Sequence, residues 1–175
     1  FMRMLPRLQA LHSDCHVVIV GGDGVSYGSP PANGSSWKQT LLRELEGRLD
    51  LSRVHFVGQV PHSILHNIFQ VSACHVYLTY PFVLSWSLLE AMSCGAVVVG
   101  SATPPVEEVI RHGGNGLLVD FFDHEALASQ ISTVLMNPAQ FLHMRASARK
   151  TVVEHYDLNT ICLPKQLQLV SDLST

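Results

Sequence analysis

The chain has 175 residues, 47% of them hydrophobic, with 11 Lys or Arg, 14 Asp or Glu and a formal net charge of -3. This length suffices for one α/β domain and is too short for two domains of ordinary size. The acidic balance, without any cluster of Lys or Arg, offers no basic face to a nucleic-acid backbone, and no apolar run approaches the ~18 to 20 residues that span a bilayer. We therefore expect neither a nucleic-acid partner nor a membrane span.

The predicted elements of the first half alternate between helix and strand. Residues 1–11 have helix-like apolar spacing, and a β-branched strand at residues 15–20 ends in a glycine turn. A loop rich in Gly, Pro and Ser then leads to a helix over residues 37–49. The next three elements are a strand at 54–58, a helix that begins at Pro61 and a strand at 73–78.

The second half continues the alternation. A helix that opens on Ser85 and Ser87 stops at Gly95, and an apolar strand follows at residues 96–99. The later elements are one or two helical turns at 106–110, a short strand at 117–119 and, after Asp123 as N-cap, helices at 125–136, 139–154 and 159–171. This order predicts an α/β fold with a doubly wound parallel sheet, helices on both faces and a helical C-terminal segment.

The cysteines indicate the redox compartment of the protein, and the histidines bear on whether it binds a metal. The four cysteines lie in or beside apolar runs, with no Cys-x-x-Cys pair and no signal-peptide pattern, which favours a reducing, cytoplasmic compartment. The ten histidines are scattered. His62 and His66 stand four residues apart on a predicted helix, but no nearby cysteine or carboxylate completes a metal set. We therefore expect no bound metal and no cofactor.

The loop at residues 81–87 predicts an anion site. It carries no bulky charged residue, and Ser85 and Ser87 stand where the following helix begins. Free backbone N–H groups and two hydroxyls would therefore face a ligand at the carboxyl edge of a parallel sheet, where phosphates bind. The alternative, in which Ser85 or Ser87 only caps the helix, is compatible with phosphate contact.

Glu90 lies on the same helix between apolar neighbours. A buried carboxylate is costly unless it is hydrogen-bonded, and a sugar diol such as the 2′,3′-hydroxyl pair of a ribose would satisfy both of its oxygens. The alternative is an ordinary surface glutamate on an amphipathic helix. The residues by themselves favour this second interpretation.

Residues 87–95, Ser-Leu-Leu-Glu-Ala-Met-Ser-Cys-Gly, resemble the signature of the family 4 (group 1) retaining glycosyltransferases. The GT-B fold of that family places two Rossmann-like domains face to face, and its hallmark of Glu, seven residues, Glu lies in the C-terminal, donor-binding domain. Segments 54–58, 106–110 and 114–119 resemble further family elements in the same order. The resemblance covers nearly the whole chain and implies a Rossmann-like domain, the C-terminal half of a GT-B fold.

By this resemblance Glu90 is the second glutamate and binds the ribose hydroxyls of a nucleoside-diphosphate sugar. The first glutamate falls on Phe82, which cannot accept a hydrogen bond from the transferred sugar, and the family's Gly-Phe-Gly is replaced by Val83, Leu84 and Ser85. Because any residue except proline supplies a backbone N–H, we expect these three amides to be available for the diphosphate.

The resemblance adds two more stretches to the predicted donor site. Gly58 and Val60 would lie beside the nucleobase. The turn with Gly22 and Asp23 could approach the diphosphate, but we favour a simple strand-exit turn for Gly21 and Gly22. The predicted donor- and nucleotide-binding residues are Glu90, Val83, Leu84, Ser85, Phe82, Ser87, Gly58, Val60, Gly22 and Asp23. No catalytic residue is assigned within this chain.

We interpret residues 1–175 as a single nucleotide-sugar-binding domain of a longer protein. The resemblance places a first strand, with a phosphate-binding Arg and Lys, and an N-terminal acceptor domain upstream of Phe1. The parent protein is expected to move a sugar from a nucleoside-diphosphate donor to an acceptor hydroxyl, with retention and without a metal, whereas this chain alone should not. The acceptor would be a glycan, lipid or small molecule, and peripheral association of the parent with the inner face of a membrane stays open.

Three alternatives follow from the same sequence. A noncatalytic nucleotide-sugar-binding or regulatory module is supported by Phe82. A GT-B sugar-nucleotide epimerase would share the fold, but the Leu-Glu-Ala-Met run is closer to the transferases. A receiver-type or flavodoxin-like domain is disfavoured because no acidic pocket follows the first predicted strand.

Overall fold

The computed structural model describes residues 1–25, 28–32, 34–80 and 83–174. In these residues the strands are parallel and form two sheets. The first sheet pairs β1 (Val17–Val20) with β2 (Val54–Gly58), and in the second β4 (Val98–Ser101) lies between β3 (His75–Tyr77) and β5 (Leu117–Val119). Because neighbouring strands run parallel, each must be joined to the next by a crossover, and helices supply these connections.

The helices flank both sheets. In chain order they are α1 (Leu5–Leu11), α2 (Trp37–Glu44), α3 (His62–Val71), α4 (Trp86–Ser93), α5 (Pro104–Glu107), α6 (His124–Met136), α7 (Leu142–His155) and α8 (Leu163–Leu173). Shorter helical turns lie at Met2–Met4, Leu51–Arg53 and Pro138–Phe141, and a wider π-type turn at Leu158–Cys162 leads into α8.

The run Val97, Val98 and Val99 explains why helices cover both faces. Successive side chains of a strand point to opposite faces, and all three valines are at most 1% exposed. Val97 and Val99 join an apolar cluster with residues of α1 and α6, whereas Val98 joins a second cluster with residues of α3 and α4. A strand whose successive residues are all buried needs cover on both faces, and the predicted doubly wound architecture is confirmed.

The predicted elements are confirmed with shifted boundaries. The helix at 37–49 is shorter, because α2 ends at Glu44 and the chain then turns through Gly47 with φ +71°. The strand at 96–99 begins two residues later, because the Ala96 amide still donates to the Ala91 carbonyl at 3.0 Å as part of the stop after α4. The helix expected from residue 139 begins at Leu142, after the Pro138–Phe141 turn.

A groove of about 540 Å³ separates the two sheets. Residues of β1 line one side and residues of β3 the other, and neither strand has a strand partner on its groove side among the described residues. Apolar side chains dominate the lining, including Ile68 and Phe69 of α3. The parallel sheet is therefore interrupted at this groove rather than continuous.

None of the helices built from described residues combines the length and the hydrophobicity needed to cross a lipid bilayer.

Candidate functional site

The start of α4 lies where the sequence predicted an anion site. Ser85 is the N-cap of this helix, and its hydroxyl accepts a hydrogen bond from the Ser87 amide at 3.4 Å. The two hydroxyl oxygens of Ser85 and Ser87 are 3.2 Å apart. The capping interpretation of Ser85 is confirmed, and it leaves the partial positive charge at the helix start directed toward the loop.

The backbone amides before α4 differ from the prediction in one respect. The Ser85 amide donates to the Tyr77 hydroxyl at 2.8 Å, so the expectation that it is free is wrong. This contact of Tyr77, at the end of β3, was not predicted, because no local sequence pattern indicates the position of its hydroxyl. The amides of Val83 and Leu84 donate no hydrogen bond to any described residue, and Phe82 lies outside the described residues.

Glu90 is a mostly buried carboxylate rather than an ordinary surface glutamate. Its side chain is 23% exposed, and its Oε1 lies 2.7 Å from Nε2 of His62 at the start of α3. The N–H of that ring can donate to Oε1, while no described residue hydrogen-bonds Oε2. A carboxylate accepts at two oxygens, so Glu90 keeps capacity for a further donor.

The expectation that no carboxylate lies near His62 and His66 is wrong. One ligand atom from each of His62, His66 and Glu90 lies within 4.8 Å of the other two, so a carboxylate does complete the pair of histidines. Glu90 is 28 residues from His62 along the chain, and the packing of α3 against α4 brings them together. The helical spacing of the histidines was visible in the sequence, but the partner on the next helix was not.

One contact joins the turn after β1 to the end of β2, and a second joins the start of α3 to α4. The Gly21 amide donates to the Gly58 carbonyl at 2.8 Å, which ties the turn after β1 to the end of β2. Gly58 has φ +67°, a left-handed conformation that favours glycine there. Val60 is half-buried two residues before His62, whose contact with Glu90 connects this segment to α4. The turn after β1, the segment that follows β2 and α4 are therefore linked in sequence by these two contacts.

The glycine-rich turn after β1 is the least specific part of the predicted site. Asp23 forms an ion pair with Lys38, with 3.2 Å between Oδ2 and Nζ, and no described contact joins it to Glu90 or Ser85. Gly22 is exposed, and a Cβ there would meet Gln59 at an ordinary 3.6 Å. Packing therefore does not require glycine at this position, as expected for a simple strand-exit turn.

Two titratable groups of β3 and its preceding turn line the groove beside this site. Burial lowers the pKa of His75 to about 4 and raises the pKa of Cys74 to about 12. Both side chains are consequently neutral at pH 7. Neither has the pKa near 7 that suits a general acid or base, so we assign them to packing.

Comparisons with known proteins identify the family and the fold of this chain. A sequence model of the family described as "Glycosyl transferases group 1" matches residues 1–151. Sucrose-phosphate synthase from Thermosynechococcus elongatus is similar in structure with a TM-score of 0.75 and 26% identity, over 98% of this chain and 42% of that one. No curated protein sequence matches this chain significantly.

Two further solved structures share the fold. The Anabaena protein HepE, in complex with UDP, has a TM-score of 0.71 and 22% identity over 97% of this chain and 44% of that one. The C-terminal domain of LpcC, a glycosyl transferase group 1 family protein from Francisella tularensis, has a TM-score of 0.73 and 15% identity over 91% and 78% of the two chains. This chain thus spans less than half of the synthase and of HepE.

Proposed function

Because this chain belongs to the glycosyl transferases of group 1, we propose that it binds the donor in a retaining glycosyltransferase. The donor is a nucleoside-diphosphate sugar, and the parent protein transfers its sugar to an acceptor hydroxyl. The observation that carries the proposal is the mostly buried Glu90 carboxylate, held by His62 beside the segment that follows β2. In this position it can accept hydrogen bonds from a ribose diol.

The diphosphate is assigned to the loop before α4. The amides of Val83 and Leu84 have no described acceptor, and Ser85 and Ser87 add two hydroxyls at the helix start. As the bond to the sugar breaks, the leaving diphosphate gains negative charge, and fixed N–H donors and the helix dipole stabilise that charge. Binding of the nucleoside through Glu90 and the Gly58 to Val60 segment supplies orientation. We propose that this transfer uses no metal.

The experiment is calorimetric titration of the 175-residue chain with a panel of nucleoside diphosphates in the presence of EDTA. UDP comes first, because the similar HepE structure holds it. A hydrogen bond to a charged group contributes about 1.5 to 3 kcal/mol, so Glu90→Gln should weaken binding roughly 10- to 100-fold. Glu108→Gln, which changes an exposed glutamate of another helix end, is the matched control and should bind like the wild type.

The outcomes separate the parts of the proposal. Binding that Glu90→Gln weakens and Glu108→Gln does not supports the ribose assignment. Equal affinity of both variants and the wild type removes Glu90 from the site. If no nucleoside diphosphate binds, the donor-binding function of this chain is contradicted.

A noncatalytic nucleotide-binding module is the second candidate function. Phe82 stands where the family has a glutamate that contacts the transferred sugar, and phenylalanine offers no acceptor for its hydroxyls. A module of this kind would recognise the nucleotide and neglect the sugar. Transfer activity of the parent protein from a nucleoside-diphosphate sugar would exclude this candidate.

We also propose that the donor-binding domain extends upstream of this chain in the parent protein. We assign the groove between β1 and β3 to one further parallel strand, supplied by sequence upstream in the parent together with the phosphate-binding Arg and Lys. No strand built from described residues pairs with the groove side of β1 or β3, which supports this assignment. In a chain extended upstream, amides of β1 and β3 should exchange their hydrogens more slowly, and unchanged exchange would argue against the strand.

We propose a reducing compartment, such as the cytoplasm, for the protein. The four cysteines Cys15, Cys74, Cys94 and Cys162 are all free thiols, which supports this assignment.

A further inference from the structure

His62, His66 and Glu90 form a cluster of three metal-ligand side chains. Nε2 of His62 lies 2.7 Å from Oε1 of Glu90, and the rings of His62 and His66 are 4.3 Å apart between centroids. One ligand atom from each residue lies within 4.8 Å of the other two. We propose that this cluster binds a divalent transition-metal cation of the Zn²⁺ class.

The backbone explains why the three side chains converge. Residues four apart on a helix lie on the same face, which places His62 and His66 one above the other on the first turns of α3. The neighbouring helix α4 packs against α3 and presents Glu90 to that face. The ligands therefore stand on two regular elements, which hold them more firmly than a loop would.

The donor set fits zinc better than a hard cation. Two imidazole nitrogens and one carboxylate oxygen are a common zinc set, whereas Mg²⁺ prefers oxygen ligands. At Zn–ligand distances of about 2.0 to 2.2 Å, a tetrahedral site separates its ligand atoms by roughly 3.4 Å. The separations of the ligand atoms in the cluster, from 2.7 Å to at most 4.8 Å, bracket that value.

Charge and access also suit a cation. Glu90 contributes one negative charge from a side chain that is 23% exposed, while His62 is 64% exposed and leaves the site open to solvent. A fourth coordination position can therefore hold water or an oxygen of a ligand.

Another histidine pair provides an internal comparison. Nδ1 of His16 lies 2.9 Å from Nε2 of His55, but no third ligand residue joins them among the residues searched. Two imidazoles without a carboxylate bind zinc more weakly than three ligands. This pair therefore serves as a two-ligand comparison for the three-ligand cluster.

Zinc at this site would occupy the carboxylate that we assign to ribose. The expected competition between Zn²⁺ and a nucleoside diphosphate for the Glu90 carboxylate is the one part of the inference that rests on the proposed function. Zinc binding itself needs no nucleotide. Titration with Zn²⁺ in the absence of nucleotide and titration with nucleotide in the presence of EDTA therefore fail or succeed independently.

The test is calorimetric titration of the 175-residue chain with Zn²⁺, and then with Mg²⁺. We expect one Zn²⁺ per cluster and no Mg²⁺ binding at the same concentration. His62→Ala and Glu90→Gln should each weaken zinc binding by more than about tenfold, since loss of even an outer-shell partner of a metal costs about that much. The exposed position of His62 makes its substitution safe for folding, which circular dichroism verifies.

His55→Ala is the matched control and should retain wild-type zinc affinity. The inference is overturned if no saturable zinc binding occurs, if His62→Ala and Glu90→Gln bind like the wild type, or if His55→Ala loses as much affinity as they do. Equal binding of Mg²⁺ would also overturn it, because that result contradicts the donor set.

Discussion

Acid should destabilise the folded chain through the buried imidazole of His75. Nε2 of this residue is buried and has no hydrogen-bond partner among the described residues, and its ring packs edge-on against Phe69 at 4.9 Å between centroids. Burial lowers the pKa of His75 from 6.5 to about 4. The folded state therefore keeps the ring neutral at pH values where the unfolded chain already protonates it.

The sign of the effect follows from proton uptake. Between pH 6.5 and about 4 the unfolded chain binds a proton at this position and the folded chain does not, so acid favours unfolding. The contribution of His75 to stability is complete above pH 6.5 and is lost as the pH falls toward 4. The two pKa values differ enough to make this loss about 3 kcal/mol at its limit.

The assay is urea unfolding of the wild type and of His75→Leu at pH values between 7.5 and 4.5. Leucine is similar in size and carries no titratable group, so the variant should lose less stability on acidification than the wild type. His143→Gln removes an exposed histidine of α7 and should follow the wild type. Carboxylates whose pKa values are lowered, such as Asp50 and Asp157, act equally in all three proteins and cancel. Identical pH dependence of the wild type and His75→Leu would refute the reasoning.

Three further predictions concern packing, reactivity and donor preference. Gly116→Ala should lower the free energy of unfolding by about 1 to 3 kcal/mol, because the new Cβ would lie 2.9 Å from the buried Ile110 side chain. At Gly28 a Cβ would meet no atom within 4 Å, so Gly28→Ala should leave the stability unchanged. Equal melting temperatures of the two variants would contradict this prediction. Burial raises the pKa of the Cys74 thiol to about 12, so this thiol should react slowly with iodoacetamide at pH 8 in the native chain. Mass spectrometry measures the rate of modification. A rate equal to that of the denatured chain would contradict the prediction. Because Phe82 offers no acceptor, the chain should bind a nucleoside diphosphate nearly as well as its sugar conjugate, and a strong calorimetric preference for the conjugate would sink that idea.

The elements and the family could be predicted from the sequence because their signals are local. A serine N-cap, apolar helix positions and a stopping glycine lie within one short segment, and α4 forms there with Ser85 as its cap. The continuous apolar run at Val97–Val99 likewise required burial on both faces of a strand, which the structure confirms. Boundaries shifted by a few residues because capping hydrogen bonds extend or shorten an element beyond its hydrophobic pattern.

The surroundings of the candidate site could not be predicted, because they depend on contacts between distant segments. The Ser85 amide is occupied by Tyr77, and Glu90 meets His62 from a helix that precedes it by 28 residues. Neither contact leaves a periodic or spacing signal. Which groups form hydrogen bonds depends on how the helices and strands pack and on where the side chains then lie. A local sequence pattern does not contain this information.

The sequence by itself thus determined the parallel α/β architecture, the family and the position of the carboxylate on a helix that follows a strand. Only the tertiary structure decided which groups that carboxylate faces. Hydrophobic periodicity specifies which face of an element is buried, and this information is written residue by residue. The meeting of Glu90 with His62 and His66 arises instead from how α3 and α4 pack, and it turned a predicted ribose ligand into a candidate metal ligand as well.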